Sequence, residues 1–302
     1  MTWNGLLQDL FCHTLLLDGA PRLGLGWTEL LNPLQFDFMR QALLMVVIVA
    51  VPAALLSCFL VLKGWALLGD AIAHATLPGV ILAWLLGLPY AVGALCAGIT
   101  CAAASGWLGA NSRLKGDTVM GIVFSGMFAV GLLLHTAVRS DVHLGHILLG
   151  DILGTQWADI RQSACIAALL CTAIGLQWRD LLLYTFSPIH AQTLGLRIDW
   201  LHHGLLIGVS LAVVACLKAV GLILSIALLI APGAIAFLLT RTFGAMLVVA
   251  TVVAVGSGLV GVSLSFFLDS APAPTVVLVL TAVFISALGF GERRYTKGRE
   301  DK

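Results

Sequence analysis

The feature that most constrains this 302-residue chain is a succession of apolar runs, each close to the length a helix needs to cross a bilayer. About 20 mostly apolar residues, rising 1.5 Å each, span the ~30 Å of hydrocarbon. Such runs occupy residues 39–62, 63–86, 90–110 and 118–137, a shorter one covers 161–176, and others follow at 201–217, 221–239, 243–268 and 273–290. Uninterrupted runs of this length satisfy their own backbone hydrogen bonds in lipid only as helices. The expected fold is an all-α integral membrane protein, a bundle of 8–9 transmembrane helices. Only 10% of the residues are charged, against about a quarter in soluble domains, so a water-soluble fold is excluded. A net charge of +1, with no cluster of Lys and Arg inside the apolar body, excludes a nucleic-acid partner. Membrane lipid is the solvent.

Three regions follow along the chain. Residues 1–38 carry Asp9, Asp18, Glu29 and Asp37 and lack a basic start, so they read as an N-terminal leader, interfacial or loosely ordered, and not as a cleaved signal peptide. Residues 39–291 form the transmembrane domain, and residues 292–302, with Arg293, Arg294, Lys297 and Arg299, form a basic tail. Alternating spans put Arg113, Lys115, Arg179, Arg197, Arg241 and the tail on one side, which the positive-inside rule makes cytoplasmic. The seven cysteines form no CxxC pair and sit mostly in apolar runs, where Cys behaves as a small hydrophobe.

Within the first spans, the only charged side chains between Arg40 and Arg113 are Lys63 and Asp70, and His74 lies one helical turn beyond Asp70. An Asp at the centre of a spanning helix costs about 2.5–3.5 kcal/mol on insertion scales, so such a residue faces protein or water and marks a functional site by default. Measured from Lys63, eleven residues of helix would place His74 roughly 16 Å deep, near the midplane. At i, i+4 the two side chains share a face. A carboxylate and an imidazole suit first-row divalent metals, and no thiolate is present to hold the ion too firmly. Two ligands are too few for a site, whereas the same helix from two subunits would supply four. The bland alternative is a buried Asp–His hydrogen bond that fixes the helix.

Other polar features are weaker. Asp141, His143, His146 and Asp151 offer donors on the side opposite the basic loops, either as an entry relay for metal or as a polar lip facing water or a docking partner. The segment 178–200 interrupts two apolar runs and contains Ser187 and Pro188 as a helix start, with Gly195 as its end, so it reads as a short cytoplasmic helix or a solvated loop. Pro78 and Pro232 lie inside apolar helices, where proline removes a backbone bond and bends the helix; Pro78 falls one turn past His74.

The stretch from Lys63 to Val80, with Gly69-Asp70-Ala71 and Ala73-His74-Ala75 ahead of Pro78-Gly79, resembles the signature of the ABC-3 family of metal-importer permeases. Ala73 stands where that family commonly has Ser, which removes a hydroxyl but leaves the Asp, His and Pro in place. Ser187 to Leu196 is similar to the family's cytoplasmic coupling segment, and Val220 to Ala234 to its penultimate region. Asp117 to Phe128, followed by Ser140 to Asp151, resembles the second membrane subunit of Sit/Yfe-type manganese and iron importers.

The resemblance implies a permease subunit of an ATP-driven importer in the bacterial inner membrane, with divalent manganese or ferrous iron as cargo and zinc as the alternative. It implies metal ligands at Asp70 and His74 and ATPase coupling through Ser187, Pro188, Ala191 and Gly195. The expected partners are ATPase subunits that carry the ATP, a periplasmic or lipid-anchored metal-binding protein, and a second permease subunit, identical or paralogous. No permanently bound cofactor and no catalytic residue of its own are expected, since the chain lacks a GxxxxGK[ST] phosphate loop. The rival is an ion-coupled carrier using the same Asp70 and His74, which would show paired broken helices or inverted repeats.

Overall fold

Leu, Val, Ile and Ala dominate the apolar runs, and each run becomes helix. The computed structural model describes residues 36–138, 152 and 154–300. The helices are α1 Asp37–Lys63, α2 Leu68–Leu85, α3 Tyr90–Asn111, α4 Gly116–Val138, α5 Trp157–Phe186, the short α6 Pro188–Thr193, α7 Ile198–Leu239, α8 Phe243–Phe267 and α9 Pro272–Glu300. Among the described residues, eight helices are long and apolar enough to cross a membrane, and the protein is a multi-pass membrane protein.

One of the eight crosses twice. At 42 residues, α7 would measure about 63 Å if straight, twice the hydrocarbon thickness. It breaks at Gly221, where φ is 79° and ψ is 179°, a conformation that costs a residue with a Cβ and that glycine adopts freely. Its two ends lie at the same end of the bundle. His202 packs against Trp65, just past the end of α1, and Gly233 meets Ser57 near that same end. Between them, Lys218 reaches Asp159 at the start of α5, whereas the end of α5 returns to Lys63 through Tyr184. The chain therefore reverses near Gly221, and the runs at 201–217 and 221–239 are separate crossings.

Several boundaries differ from those the apolar runs suggest. The shorter fifth run, 161–176, is part of a 30-residue helix that continues through Gln177, Arg179 and Asp180 to Phe186. Polar residues there end the apolar run without ending the helix, because long straight side chains keep good helix propensity once outside hydrocarbon. Only Pro188–Thr193 forms the separate short helix expected of the 178–200 segment. The second span does not begin at Lys63 either, since a turn at Gly64 separates α1 from α2.

The core forms around α1, α2 and both halves of α7, with Met45, Leu56, Phe59, Ile72, Leu224 and Leu228 fully buried. Helices α4 and α5 are peripheral and present Ile122, Leu133 and Leu176 outward, as lipid-facing helices do. Hydrophobicity does not drive helices together within lipid, so close packing has to do so. At the crossing of α2 and α3, a Cβ on Gly79 would lie 2.1 Å from the Gly93 carbonyl oxygen, and the converse distance is also 2.1 Å. Along the other side of α2, Gly131 of α4 packs onto Pro78.

At Pro232 the helix is tied to a neighbour. Pro232 cannot donate a backbone bond, and at this bend Gly233 N–H donates to Ser57 Oγ at 2.9 Å while Ser57 Oγ donates to the Ile230 carbonyl at 3.2 Å. Replacing Gly93 with Leu should force α2 and α3 apart and lower the thermal midpoint of the purified protein by more than ten degrees or abolish its folded yield. Gly121→Leu, where a Cβ meets nothing within 4 Å, should change either by little. Equal behaviour of the two variants in a thermal-shift assay would refute the role given to this crossing.

Candidate functional site

Helix α2 is packed by α3, α4 and α7 on nearly all sides. From Leu68 to Ala83 only Asp70, His74 and Leu82 escape burial. Asp70 and His74 are one turn apart, and each side chain is 27% exposed, with His74 Nε2 3.8 Å from Asp70 Oδ1. That separation is too long for a hydrogen bond. The pair is thus not the closed Asp–His bond that would serve only to fix the helix, and it leaves room between its donors.

Depth is smaller than a continuous helix from Lys63 would give. The turn at residues 64–67 takes up four of the eleven residues, and His74 stands six residues after the start of α2 at Leu68, about 9 Å along its axis. Asp70 falls in the first turn of α2, where the positive end of the helix dipole favours a carboxylate. Both remain inside a helix flanked by apolar neighbours.

The surroundings of His74 are aromatic. Its ring lies 5.8 Å from Phe124 and 5.4 Å from Phe128, one turn apart on α4. His74 Nδ1 is buried without a hydrogen-bond partner, so Nε2 is the nitrogen turned toward Asp70. Metal-binding imidazoles usually donate the other N–H to a carboxylate or carbonyl, which raises their basicity. His74 Nδ1 has no such partner. Pro78 has no N–H to bond the carbonyl four residues back, and that carbonyl belongs to His74.

Among the described residues, no three His, Cys, Asp or Glu come together as a metal-holding group. The structure therefore brings Asp70, His74 and Pro78 together on one stripe, whereas Pro232 sits apart from them against Ser57 of α1. Asp141, His143, His146 and Asp151 lie outside the described residues.

At the other named segment, Ser187 caps α6 by accepting from His190 N–H at 3.3 Å, and Pro188 occupies the first helical position. The helix closes on Gly195 at φ 79°, with Leu196 N–H donating to the Ala191 carbonyl and Gly195 N–H to that of Gln192. This is the two-bond C-terminal motif that glycine favours. Ala191 is fully buried, while Phe186, Ile189, Leu194 and Trp200 are 60–78% exposed around it. Phe124 and Phe128 are the neighbours of the site that sequence reasoning misses, since their i, i+4 spacing gives no signal until α4 is placed opposite His74.

The sequence matches the ABC 3 transport family over residues 35–291. It is 47% identical over 269 residues to the chelated iron transport system membrane protein YfeD of Yersinia pestis, covering 89% of this chain and 91% of that protein. Identity to the manganese transport system membrane protein MntB of Synechocystis is 41% over 262 residues, covering 87% of this chain and 86% of that one. Among solved structures, PsaBC from Streptococcus pneumoniae in complex with Fab superposes with a TM-score of 0.78 at 31% identity, covering 87% of this chain and 95% of that chain.

Gly195→Val should cost about 1–2 kcal/mol locally, because the left-handed backbone strains any residue with a Cβ. Hydrogen exchange across residues 188–196 should quicken several-fold while the global thermal midpoint stays put. Unchanged exchange there would show that α6 does not depend on this cap.

Proposed function

The chain belongs to the ABC 3 transport family, and on that premise we propose that it is the permease subunit of an ATP-driven importer of divalent metal ions, with Asp70 and His74 as its share of the metal path. The observation that carries this reading is the stripe of α2. Its only partly exposed polar groups are a carboxylate and an imidazole, unbonded to each other.

The donor chemistry fits a transit site. One carboxylate oxygen, one imidazole nitrogen and the freed His74 carbonyl form a mixed hard and intermediate set suited to manganese and ferrous iron. Conduction requires binding favourable enough to enter and weak enough to leave. Three donors from one subunit, with the imidazole lacking outer support, are too weak to trap an ion. A second permease subunit, paralogous or identical, would face this stripe with its own donors and complete the path. The relatives named for iron and manganese transport support those cargoes over zinc, and membership of the family sets aside an ion-coupled carrier.

Sidedness follows from charge. Arg113, Lys115, Arg179, Arg197 and Arg241 share the Lys63 end of the bundle, which by the positive-inside rule faces the cytoplasm. The short helix α6 lies at that end, and its exposed apolar ring, Ile189 and Leu194 with Phe186 and Trp200, is the surface on which an ATPase subunit would dock. ATP is bound and hydrolysed on that separate chain. The opposite end would receive metal from a periplasmic or lipid-anchored binding protein, with Asp141, His143, His146 and Asp151 as the lip on that side. The setting is the bacterial inner membrane, with an interfacial leader at 1–38 and a cytoplasmic basic tail at 292–302.

Asp70→Asn and His74→Ala should each reduce labelled manganese and iron uptake by cells to background, a larger effect than the loss of about 10–100-fold that outer-shell changes around a metal cause. Membrane insertion and recovery of the complex with its ATPase should be unaffected. Uptake at the wild-type rate in either variant sinks the assignment, and uptake of zinc alone would redirect the cargo.

A further inference from the structure

The short helix α6 and the metal-bearing helix α2 are joined by a polar cluster that the transport path does not use. It begins with a missing hydrogen bond. Tyr184 lies in the last turn of α5, which ends at Phe186 with Ser187 extended, so its carbonyl has no helical donor. Lys63 Nζ donates to that carbonyl at 3.3 Å. The ammonium also stands 3.8 Å from the centre of the Tyr184 ring and 5.6 Å from that of Trp65. Among the described residues Lys63 forms no ion pair with a carboxylate. Its charge is thus committed to the negative end of α5 and to two aromatic faces.

The cluster continues across the coupling segment. Tyr184 is buried, and its hydroxyl lies 2.8 Å from His202 Nδ1. His202 meets the Trp65 ring edge-on at 5.4 Å, and its far side is closed by Gly106 of α3, where a Cβ would lie 3.2 Å from Nε2. Tyr184 stands three residues before Ser187, and His202 stands seven residues after Gly195. Both arms that hold α6 therefore end on the same two residues, Lys63 and Trp65. From Trp65 only four residues intervene before Asp70.

Resting on the permease reading above, we infer that Lys63, Tyr184 and His202 are positioning residues that tie α6 to the turn ahead of α2, so that a displacement of α6 by the ATPase reaches Asp70 and His74. The turn at 64–67 is the hinge, since it alone separates the clamped Lys63 from α2. A merely structural cluster would hold these helix ends together and would lower both ATP turnover and import when cut. A coupling cluster separates the two.

The test uses the complete transporter, with its ATPase and binding protein, in proteoliposomes, where manganese import and ATP hydrolysis are read from the same preparation. In Lys63→Met, which keeps the apolar stem, manganese imported per ATP should fall about tenfold, and in Tyr184→Phe, which keeps ring and carbonyl, about threefold. Lys63→Arg should recover most of the loss. ATP turnover should stay within about twofold of wild type, and manganese affinity of the solubilised complex should not move. If import and hydrolysis fall together at constant ratio, or if the ratio is unchanged, the inference is overturned. Should Lys63→Met fail to assemble, the import-to-hydrolysis ratio of Tyr184→Phe decides alone. Wild-type proteoliposomes that hydrolyse ATP but import no metal would instead overturn the permease reading.

Discussion

Everything in this fold depends on one constraint: hydrocarbon offers no water to a broken backbone hydrogen bond, so each interruption of a helix must be closed by the protein itself. At three places an interruption or end of a helix has a consequence. At the Pro232 bend Ser57 ties α7 to α1, accepting from Gly233 N–H and donating to the Ile230 carbonyl. At the end of α5 the orphaned Tyr184 carbonyl is met by Lys63. At Pro78 the carbonyl left without its helical donor is that of His74.

The same constraint accounts for where charge is tolerated. Lys63 lies at the end of α1 and directs its ammonium to a carbonyl and two rings. Asp70 lies in the first turn of α2, at the positive end of its dipole. Each charge thus meets the end of a helix of opposite polarity. Dipole compensation explains how Asp70 survives insertion, yet it does not explain why the carboxylate and His74 remain apart.

Span positions and the identity of the candidate ligand pair are legible in the sequence because both depend on local composition. The crossings at 201–217 and 221–239 are separable for the same reason, although they form one continuous helix that reverses at Gly221. Helix ends are harder. Gln177, Arg179 and Asp180 mark where the chain leaves hydrocarbon, which is not where the helix stops. Apolarity alone overestimates the depth of His74, because it does not distinguish the four-residue turn after Lys63 from helix. Ser57 with Gly233, 176 residues apart, and Phe124 with His74 on different helices escape sequence reasoning, since single residues of ordinary type carry no mark of a distant partner.

The rigidity of α6 follows from its anchoring. A segment meant only to link two spans would need no cap at either end, and a flexible loop would absorb a push instead of passing it on. Here Ser187 and Pro188 fix one end, Gly195 with Leu196 fixes the other, and buried Ala191 pins the middle. Its outward side chains are free while its anchors are not. A short element held at both ends, with Lys63 and His202 bridging its arms to the turn before Asp70, moves as a unit or not at all, and α2 is the helix placed to move with it.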